Sequence, residues 1–551
     1  MISLCPSARV NIFRPSHAAC ALAEYLECSH LTASVLESRN MTADSVEDLR
    51  AALAQPLEAL LEPVRLGRNA ADTAKRWKAT ENLGNVLVYG DYDVDGVSST
   101  TLALELCRTK ATSARFFIPH RDEQGYGLHE SVLEELLPHG WDTLIVTDCG
   151  SKDTHILQRA VDAGLNVFVF DHHLPEGGEP FHPTVVNPHD GAGCDVGKSL
   201  SATTVLWAWA WIYDIVAKED LRRALDLAAL ATLADCMPLT ALNRSFVRHG
   251  LALLNRAPKP GLEALFRKLG MTPGTLTEET LTMRVIPCLN AAGRMDFADT
   301  AVAVLRNGRE QEEQVDNLIL LNKKRQALSG RISEEASLLL RDSPFNHVAL
   351  GETWPVGVLS SVASRLCNQL STPVVLAAPV RGGIRGTLRV PEGGDAMEIL
   401  NPIASRLDAW GGHRFAAGFS VSRNNWDGVA LYLEKSLAAV EVEEPLLDAL
   451  ERLPGDITLK EWKELQLLGP FGNGNPSPLF YAPADGAWGL LPLGKTGRHV
   501  QIEMDGSRIL AFDGEKLREW FDKARGILYR PRIDTWRGVE RLQYLVEYIV
   551  V

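Results

Sequence analysis

Three short apolar runs in this chain each end on an acid. VLVYG (86–90) leads into Asp91, Tyr92, Asp93, Val94, Asp95 and Gly96; LIVT (144–147) leads into Asp148, Cys149 and Gly150; VFVF (167–170) leads into Asp171, His172 and His173. The helical-period segments SSTTLALELCRTK, SVLEELLPH and HILQRAVDAG alternate with them, which spells repeated β-α-β units and predicts a doubly wound parallel sheet. In open sheets of this kind ligands bind beyond the carboxyl ends of the strands, so the pattern draws several carboxylates and two imidazoles toward one small volume.

Such a cluster needs neutralising, because close carboxylates repel and lose hydration together. Mixed carboxylate and imidazole donors suit divalent cations, Mn²⁺ or Mg²⁺, and the absence of paired thiolates disfavours structural zinc. A fourth acid, Asp235, closes the nearly all-apolar stretch LDLAALATLAD, where a carboxylate at the end of a buried helix needs a partner such as a metal. Taken singly, each Asp at a strand end reads equally well as an N-cap for the following helix.

A length of 551 residues exceeds what one hydrophobic core organises and suggests three or four domains. With 46% hydrophobic and 23% charged residues the composition excludes global disorder. The formal charge of −14 means that any nucleic acid must find local basic strips. The most apolar run, ATTVLWAWAWIY (202–213), stops at Asp214, short of a membrane span, and is expected as a buried helix. The opening MISLCPSARVNIFRPSHAAC shows no signal-peptide pattern, so a cytoplasmic protein without membrane contact is expected. Nine cysteines without a CxxC pair argue against a disulfide framework, and Cys149 and Cys236 read as small buried thiols.

The expected organisation is an N-terminal helical region over 1–80, an α/β domain over 81–306, a connecting helix over 307–342, a second α/β domain over 343–450 and a small β-barrel over 455–551. The helical region rests on TADSVEDLRAALAQPLEALLEPV, and the connector on REQEEQVDNLILLNKKRQALSGRISEEASLLL, which has no proline and one glycine. The barrel rests on VQIEM, SRILAF and LQYLVEYIVV, short runs separated by turn residues.

GDYDVDG (90–96), VTDCG (146–150), DHH (171–173) and LADCMPL (233–239) resemble, in order, the four motifs of the DHH phosphoesterase superfamily. IPHRDEQGYGL, CLNAAGRM, WGGHRFAAGF and LGPFGNGNPSPLF resemble those of its RecJ family, single-strand-specific 5′→3′ exonucleases, from about Asn85 to the C-terminus. The resemblance implies a DHH domain, a DHH-associated domain and a terminal OB fold, acting in DNA recombination and repair as a two-metal hydrolase.

In that scheme Asp93 matches a ligand of one cation, Asp95, His172 and Asp235 match ligands of the other, and Asp148 bridges them. His173 sits by the scissile phosphate; Asp171 orients the His pair from behind, and Asp91 either supports the site or caps the turn. Two cations roughly 3.5–4 Å apart lower the pKa of a shared water and stabilise an in-line displacement at phosphorus. Many superfamily members carry His where this chain has Tyr89, which predicts weaker metal binding beside Asp93. Arg121, Tyr126 and Arg294 are implied to grip the DNA backbone, His413 of the second domain to donate to phosphate and Arg385 to bind the 5′ end, with Gly383 replacing a common Ser.

Between Lys516 and Arg541 the sequence interleaves Lys523, Arg525, Arg530, Arg532 and Arg537 with Trp520, Phe521, Tyr529 and Trp536, either a single-strand groove or barrel core. Single-strand-binding protein and a helicase are partners implied by the family. Two other readings stand beside the nuclease: a DHH phosphoesterase acting on short oligonucleotides or nucleotides, and a non-catalytic Cdc45-like replication scaffold. The first typically lacks the GPFGNGNP segment and barrel, and the second loses ligand positions that are all present here.

Overall fold

A computed structural model describes residues 3–551 apart from 6–8, 42–43, 46–54, 122, 175–180, 307–311, 343–344, 444–445, 485–487, 494–498, 505, 513, 515–517 and 537–538. The chain divides into two compact units, one of residues 52–328 with 470–476, the other of residues 1–51, 329–469 and 477–551.

Strands β1 (Ser3–Cys5) and β2 (Val10–Phe13) open the chain and belong to its last sheet. The first unit is built on β3 (Gly84–Tyr89), β4 (Ala111–Phe117), β5 (Thr143–Thr147), β6 (Asn166–Phe170) and β7 (Val185–Val186), all parallel in the order β4-β3-β5-β6-β7. Side chains alternate between two cores. Val86, Val88, Ile145, Phe168 and Phe170 face one, with the helices Val94–Cys107, Ala202–Ile212 and Leu225–Ala234. Leu87, Tyr89, Val146 and Val169 face the other, with the helices Glu130–Leu136 and Thr154–Asp162.

Because β3 lies between β4 and β5, the chain leaves it in opposite directions on its two sides. That reversal opens a crevice at the carboxyl ends of β3 and β5, where Tyr89 pairs with Val146. The helix Ala202–Ile212 is buried almost throughout, and the indole of Trp209 donates to the Ala70 carbonyl at 3.0 Å between the rings of Trp77 and Phe170.

A single helix, Glu312–Asp342, begins within the first unit and continues past its Leu328 boundary; residues 307–311 of the expected connector lie outside the described residues. The second α/β part has β8 (Val348–Leu350), β9 (Val374–Val380), β10 (Gly383–Arg389), β11 (Ala409–His413) and β12 (Ala416–Val421) in the order β11-β12-β10-β9-β8, antiparallel except for β8 with β9. The helix Arg423–Ala438 closes its core.

The last sheet contains β13 (Leu447–Glu451), β14 (Phe480–Pro483), β15 (Trp488–Leu493), β16 (His499–Met504), β17 (Ser507–Ala511), β18 (Gly526–Trp536) and β19 (Val539–Val550). Its order is β15-β16-β17-β19-β18-β14-β13-β2, with β1 on β19. Tyr529 is wholly buried and donates to the Arg452 carbonyl at 2.7 Å, so this aromatic is core. Lys523 lies over the Trp520 ring at 5.4 Å. Lys516 and Arg537 fall outside the described residues, as does the side chain of Trp536.

Residues 1–80 do not form the single helical region expected. β2 pairs with β13, and Asn11 donates to Asp448, 437 residues away. Leu31 and Val35 of the helix His30–Ser38 join the core of Trp462 and Phe480, whereas Leu57, Leu61, Ala74 and Trp77 join the core of the DHH-like sheet. Strands of three and four residues are too short to show a two-residue alternation, and their partners lie at the far end of the chain. Much of the expected helix over 42–64 lies outside the described residues; Leu57–Leu61 is helical.

Removing the Trp209 indole leaves a large cavity and an orphaned carbonyl. Trp209→Ala is expected to destabilise the first unit by about 3–5 kcal/mol, read as a lowered first transition in a denaturant melt.

Candidate metal centre

The loop after β3 places three carboxylates in five residues, and the local structure gives each a different job. Asp93 is the N-cap of the helix Val94–Cys107, accepting from the Gly96 amide at 3.0 Å. With the cap supplied, Asp91 is free for another role: it is buried and its Oδ1 has no hydrogen-bond partner. Gly96 is required because a Cβ there would lie 2.4 Å from the Asp91 carbonyl oxygen. Asp95 points the other way, into the amino end of the helix Ala202–Ile212, where it accepts from the Ala202 amide (2.7 Å), the Thr203 amide (2.9 Å) and the Thr203 hydroxyl (2.6 Å).

Asp148 follows β5 in the left-handed conformation, φ 63°, which Asp tolerates better than most residues, and its amide donates to the Phe170 carbonyl at 3.0 Å. Its Oδ1 is buried with no hydrogen-bond partner. Asp171 accepts from the amides of His172, His173 and Ser151 and from His173 Nδ1 at 2.7 Å, so it fixes the DHH turn from behind. Asn187 braces the same turn, donating to the His173 carbonyl and the Ser151 hydroxyl, both at 2.9 Å.

Asp235 caps the carboxyl end of the helix Leu225–Ala234. The residues after it are held by the glycine-rich segment of the last third of the chain: the Leu239 amide donates to the Asn473 carbonyl (2.8 Å), and Asn473 Nδ2 donates to the Cys236 carbonyl (2.9 Å). Cys236 itself is exposed, contrary to the expectation of a buried thiol, whereas Cys149 is buried as expected.

These elements assemble donor sets with all ligand atoms within 4.8 Å of one another: Asp95 with His172 and Asp235, Asp91 with Asp93 and Asp148, and Asp148 with His172 and His173. His172 Nε2 lies 3.5 Å from both Asp148 Oδ1 and Asp235 Oδ2 and 3.8 Å from Asp95 Oδ2, so the set of Asp91 and Asp93 joins the others at Asp148, and that of Asp95 and Asp235 at His172. Asp91 stands among the potential ligands rather than behind them. Tyr89 points away: its hydroxyl donates to the Gly127 carbonyl at 3.1 Å inside the opposite core.

The electrostatics are those of a cup whose carboxylates outnumber its cationic groups. Burial, then the neighbouring Asp95 and Asp93, pushes the Asp148 carboxyl well above the ordinary range, and burial with Asp93 does the same to Asp91. Asp235 is pushed up to about 8 by burial, then Asp95 and Asp93. Burial lowers His172. Burial would lower His173 too, but the charge and hydrogen bond of Asp171 bring it to about 9, and His173 in return holds Asp171 far below the carboxylate range against the effect of burial. Two buried carboxylate oxygens without partners, hard oxygen donors and an imidazole fit Mn²⁺ or Mg²⁺.

Cationic groups border the cup. Tyr126 places its hydroxyl 3.0 Å from His173 Nδ1, and Arg121 lies over the Tyr92 ring at 4.9 Å. Arg294 is pushed down to about 10 by burial, then by Arg121 and Arg325, and it also feels Asp93. Its helix, Ile286–Met295, is seated by Asn290, which accepts from the Val94 amide at 3.1 Å, and by Gly293, where a Cβ would lie 2.2 Å from the Tyr92 carbonyl oxygen. Thr203, Asn187, Asn473 and Arg325 were not singled out from sequence.

Arg385 and His413 belong to the other unit, on the sheet of β10, β11 and β12. Arg385 pairs with Ser420 and His413 with Ala416, and the registers place both on one sheet face. A Cβ at Gly383 already lies 2.7 Å from the Val421 carbonyl oxygen, so a larger residue is crowded there.

Three domain patterns match the chain in order: the DHH family, N-terminal domain, over residues 85–232, the DHHA1 domain over 342–440, and the RecJ OB domain over 450–548. The chain is 32% identical over 482 residues to the single-stranded-DNA-specific exonuclease RecJ of Thermus thermophilus, covering 85% of this chain and 67% of that protein. It is 31% identical over 472 residues to the protein of the same name from Bacillus subtilis, covering 83% of this chain and 59% of that one. The chain thus spans about three-fifths of the length of the Bacillus subtilis relative. The crystal structure of RecJ in complex with Mn²⁺ from Thermus thermophilus is similar with a TM-score of 0.80 at 26% identity, covering 98% of this chain and 79% of that one.

Because protonated carboxyls must give up their protons to a cation, Mn²⁺ binding is expected to release protons at pH 7. Its apparent affinity should rise as pH increases from 6 toward 8, where Asp235 titrates, as calorimetry in buffers of different ionisation enthalpy would read. Asn473→Ala should weaken Mn²⁺ binding by about 10-fold or more in the same titration, through the loosened Asp235 loop.

Proposed function

The chain belongs to the RecJ family, and from that membership together with the acid cup we propose that it is a single-strand-specific 5′→3′ exodeoxyribonuclease acting in DNA recombination and repair. The observation that carries the reading is the meeting of two donor sets at Asp148, with cationic and hydrogen-bonding side chains on the rim. Asp95, His172 and Asp235 are assigned to one cation and Asp93 and Asp91 to the other, with Asp148 between them. Bound there, Mn²⁺ or Mg²⁺ would activate water and offset the charge that develops on the phosphoryl oxygens.

The chain's own residues do the rest. His173, turned by Asp171 and cationic at neutral pH, offers a proton to the scissile phosphate. Tyr126 meets His173 at the same ring nitrogen as Asp171, Nδ1, and Arg121 and Arg294 hold the flanking phosphates. On the DHHA1 sheet, Arg385 and His413 are assigned to the 5′-terminal phosphate, with Gly383 leaving Arg385 as the main donor. The OB domain is assigned to tracking the single strand.

No helix among the described residues is long and apolar enough to cross a membrane. The cytoplasm is the assigned compartment, in keeping with a DNA substrate, and single-strand-binding protein and a helicase are the assigned partners.

On end-labelled oligonucleotides, the wild type should release 5′ nucleotides with Mn²⁺ or Mg²⁺ and none with EDTA. Asp148→Ala should cost on the order of 10³-fold or more in rate, since it removes the group both donor sets share. Equal activity of the two proteins would overturn the assignment.

A further inference from the structure

The segment that carries Arg294 continues through Asp296, where the helix Ile286–Met295 ends in extended backbone, to Phe297 and the next helix, Asp299–Leu305. Phe297 is 52% exposed, and among the described residues it is the only phenylalanine of its unit with a ring so open to solvent. It is not isolated. Its ring lies 5.0 Å from that of His120, centroid to centroid, with the planes tilted at 53°.

Hydrogen bonds tie His120 to the residues after it: its amide donates to Gln124 Oε1 at 2.7 Å, and the amides of Gln124 and Gly125 return to the His120 carbonyl. The next residue, Arg121, covers Tyr92, which stands between Asp91 and Asp93. Two short segments therefore each present a guanidinium and an aromatic ring beside the acid cup, Arg121 with His120 and Arg294 with Phe297.

Cations interleaved with rings are what a single strand requires, phosphates meeting the former and bases stacking on the latter. The Phe297 ring stands outside the hydrophobic core of its unit, and the neighbouring arginines match an anion with a flat apolar face as the molecule that covers its open half. On the reading given above, we propose that Phe297, backed by His120, is a nucleobase-stacking platform next to the reaction centre. It holds one base of the strand while Arg121 and Arg294 hold its phosphates. Phe297 is a positioning residue that selects for unpaired bases, since a base stacked in a duplex has no free face.

The test combines a protein change with a substrate change. An abasic nucleotide is moved one position at a time along an end-labelled single strand, and kcat and KM are measured for wild type, Phe297→Ala and Phe297→Trp. In the wild type one abasic position should raise KM by about 10-fold with little change in kcat. Phe297→Ala should show that same KM on intact DNA and no further response to the abasic site, whereas Phe297→Trp should behave as wild type.

Equilibrium quenching of a 2-aminopurine placed at that position, measured in EDTA, reads the platform without hydrolysis. It should be strong in wild type and Phe297→Trp and absent in Phe297→Ala. Abasic profiles that superimpose for wild type and Phe297→Ala, or quenching that survives in Phe297→Ala, would overturn the platform while leaving the nuclease assignment intact. Absence of any cleavage by the wild type would instead count against the nuclease assignment, and the quenching would still decide the platform.

Discussion

Carboxylates crowded at the ends of adjacent strands repel one another, and the architecture of the first unit answers that repulsion. Two unit charges 4 Å apart cost about 4 kcal/mol at an effective dielectric near 20, so several such pairs could not persist on a compliant loop. Here each acid is tied to a rigid element. Asp93 begins a helix, Asp95 faces the amino end of another, Asp148 sits in a left-handed turn and Asp235 ends a buried helix. The sheet order supplies the place, because the reversal beside β3 opens a crevice at which those ends converge.

The parts of this centre legible in the sequence are those written locally. An apolar run that stops at an acid is visible without any partner, as are the DHH turn and a carboxylate closing an apolar helix. In sequence the role of Asp91 stays open between supporting the site and capping the turn, because the choice depends on which neighbour caps the helix, and Asp93 takes that role. Thr203, Asn290 and Asn473 reach their partners across 108, 196 and 237 residues of chain, and nothing in a threonine or an asparagine announces such a contact. Tyr89 follows the same logic in reverse. The sequence position invites comparison with a ligand, but the alternation along β3 turns its side chain into the opposite core.

The glycine-rich run at 470–476 shows how a distant stretch can serve the centre without contributing a ligand. It belongs to the compact unit of the acids although it lies in the last sixth of the chain, and it grips the backbone on the far side of Asp235. A Cβ at Gly472 would come within 3.0 Å of Leu239 Cδ1, so the packing of that side chain against the run depends on the small residue there.

The two opening strands carry a different consequence. β1 lies alongside β19, and β2 alongside β13, so strands early in this sequence complete their hydrogen bonding with partners far along it, as Asn11 does with Asp448, 437 residues away. The nascent chain can finish its central parallel sheet while this terminal one is still missing an edge. Assembly order is thereby built into the covalent order: the parallel sheet can form first, the loop after Asp235 is gripped only when residues 470–476 arrive, and the nine-stranded sheet closes only once β19 is made.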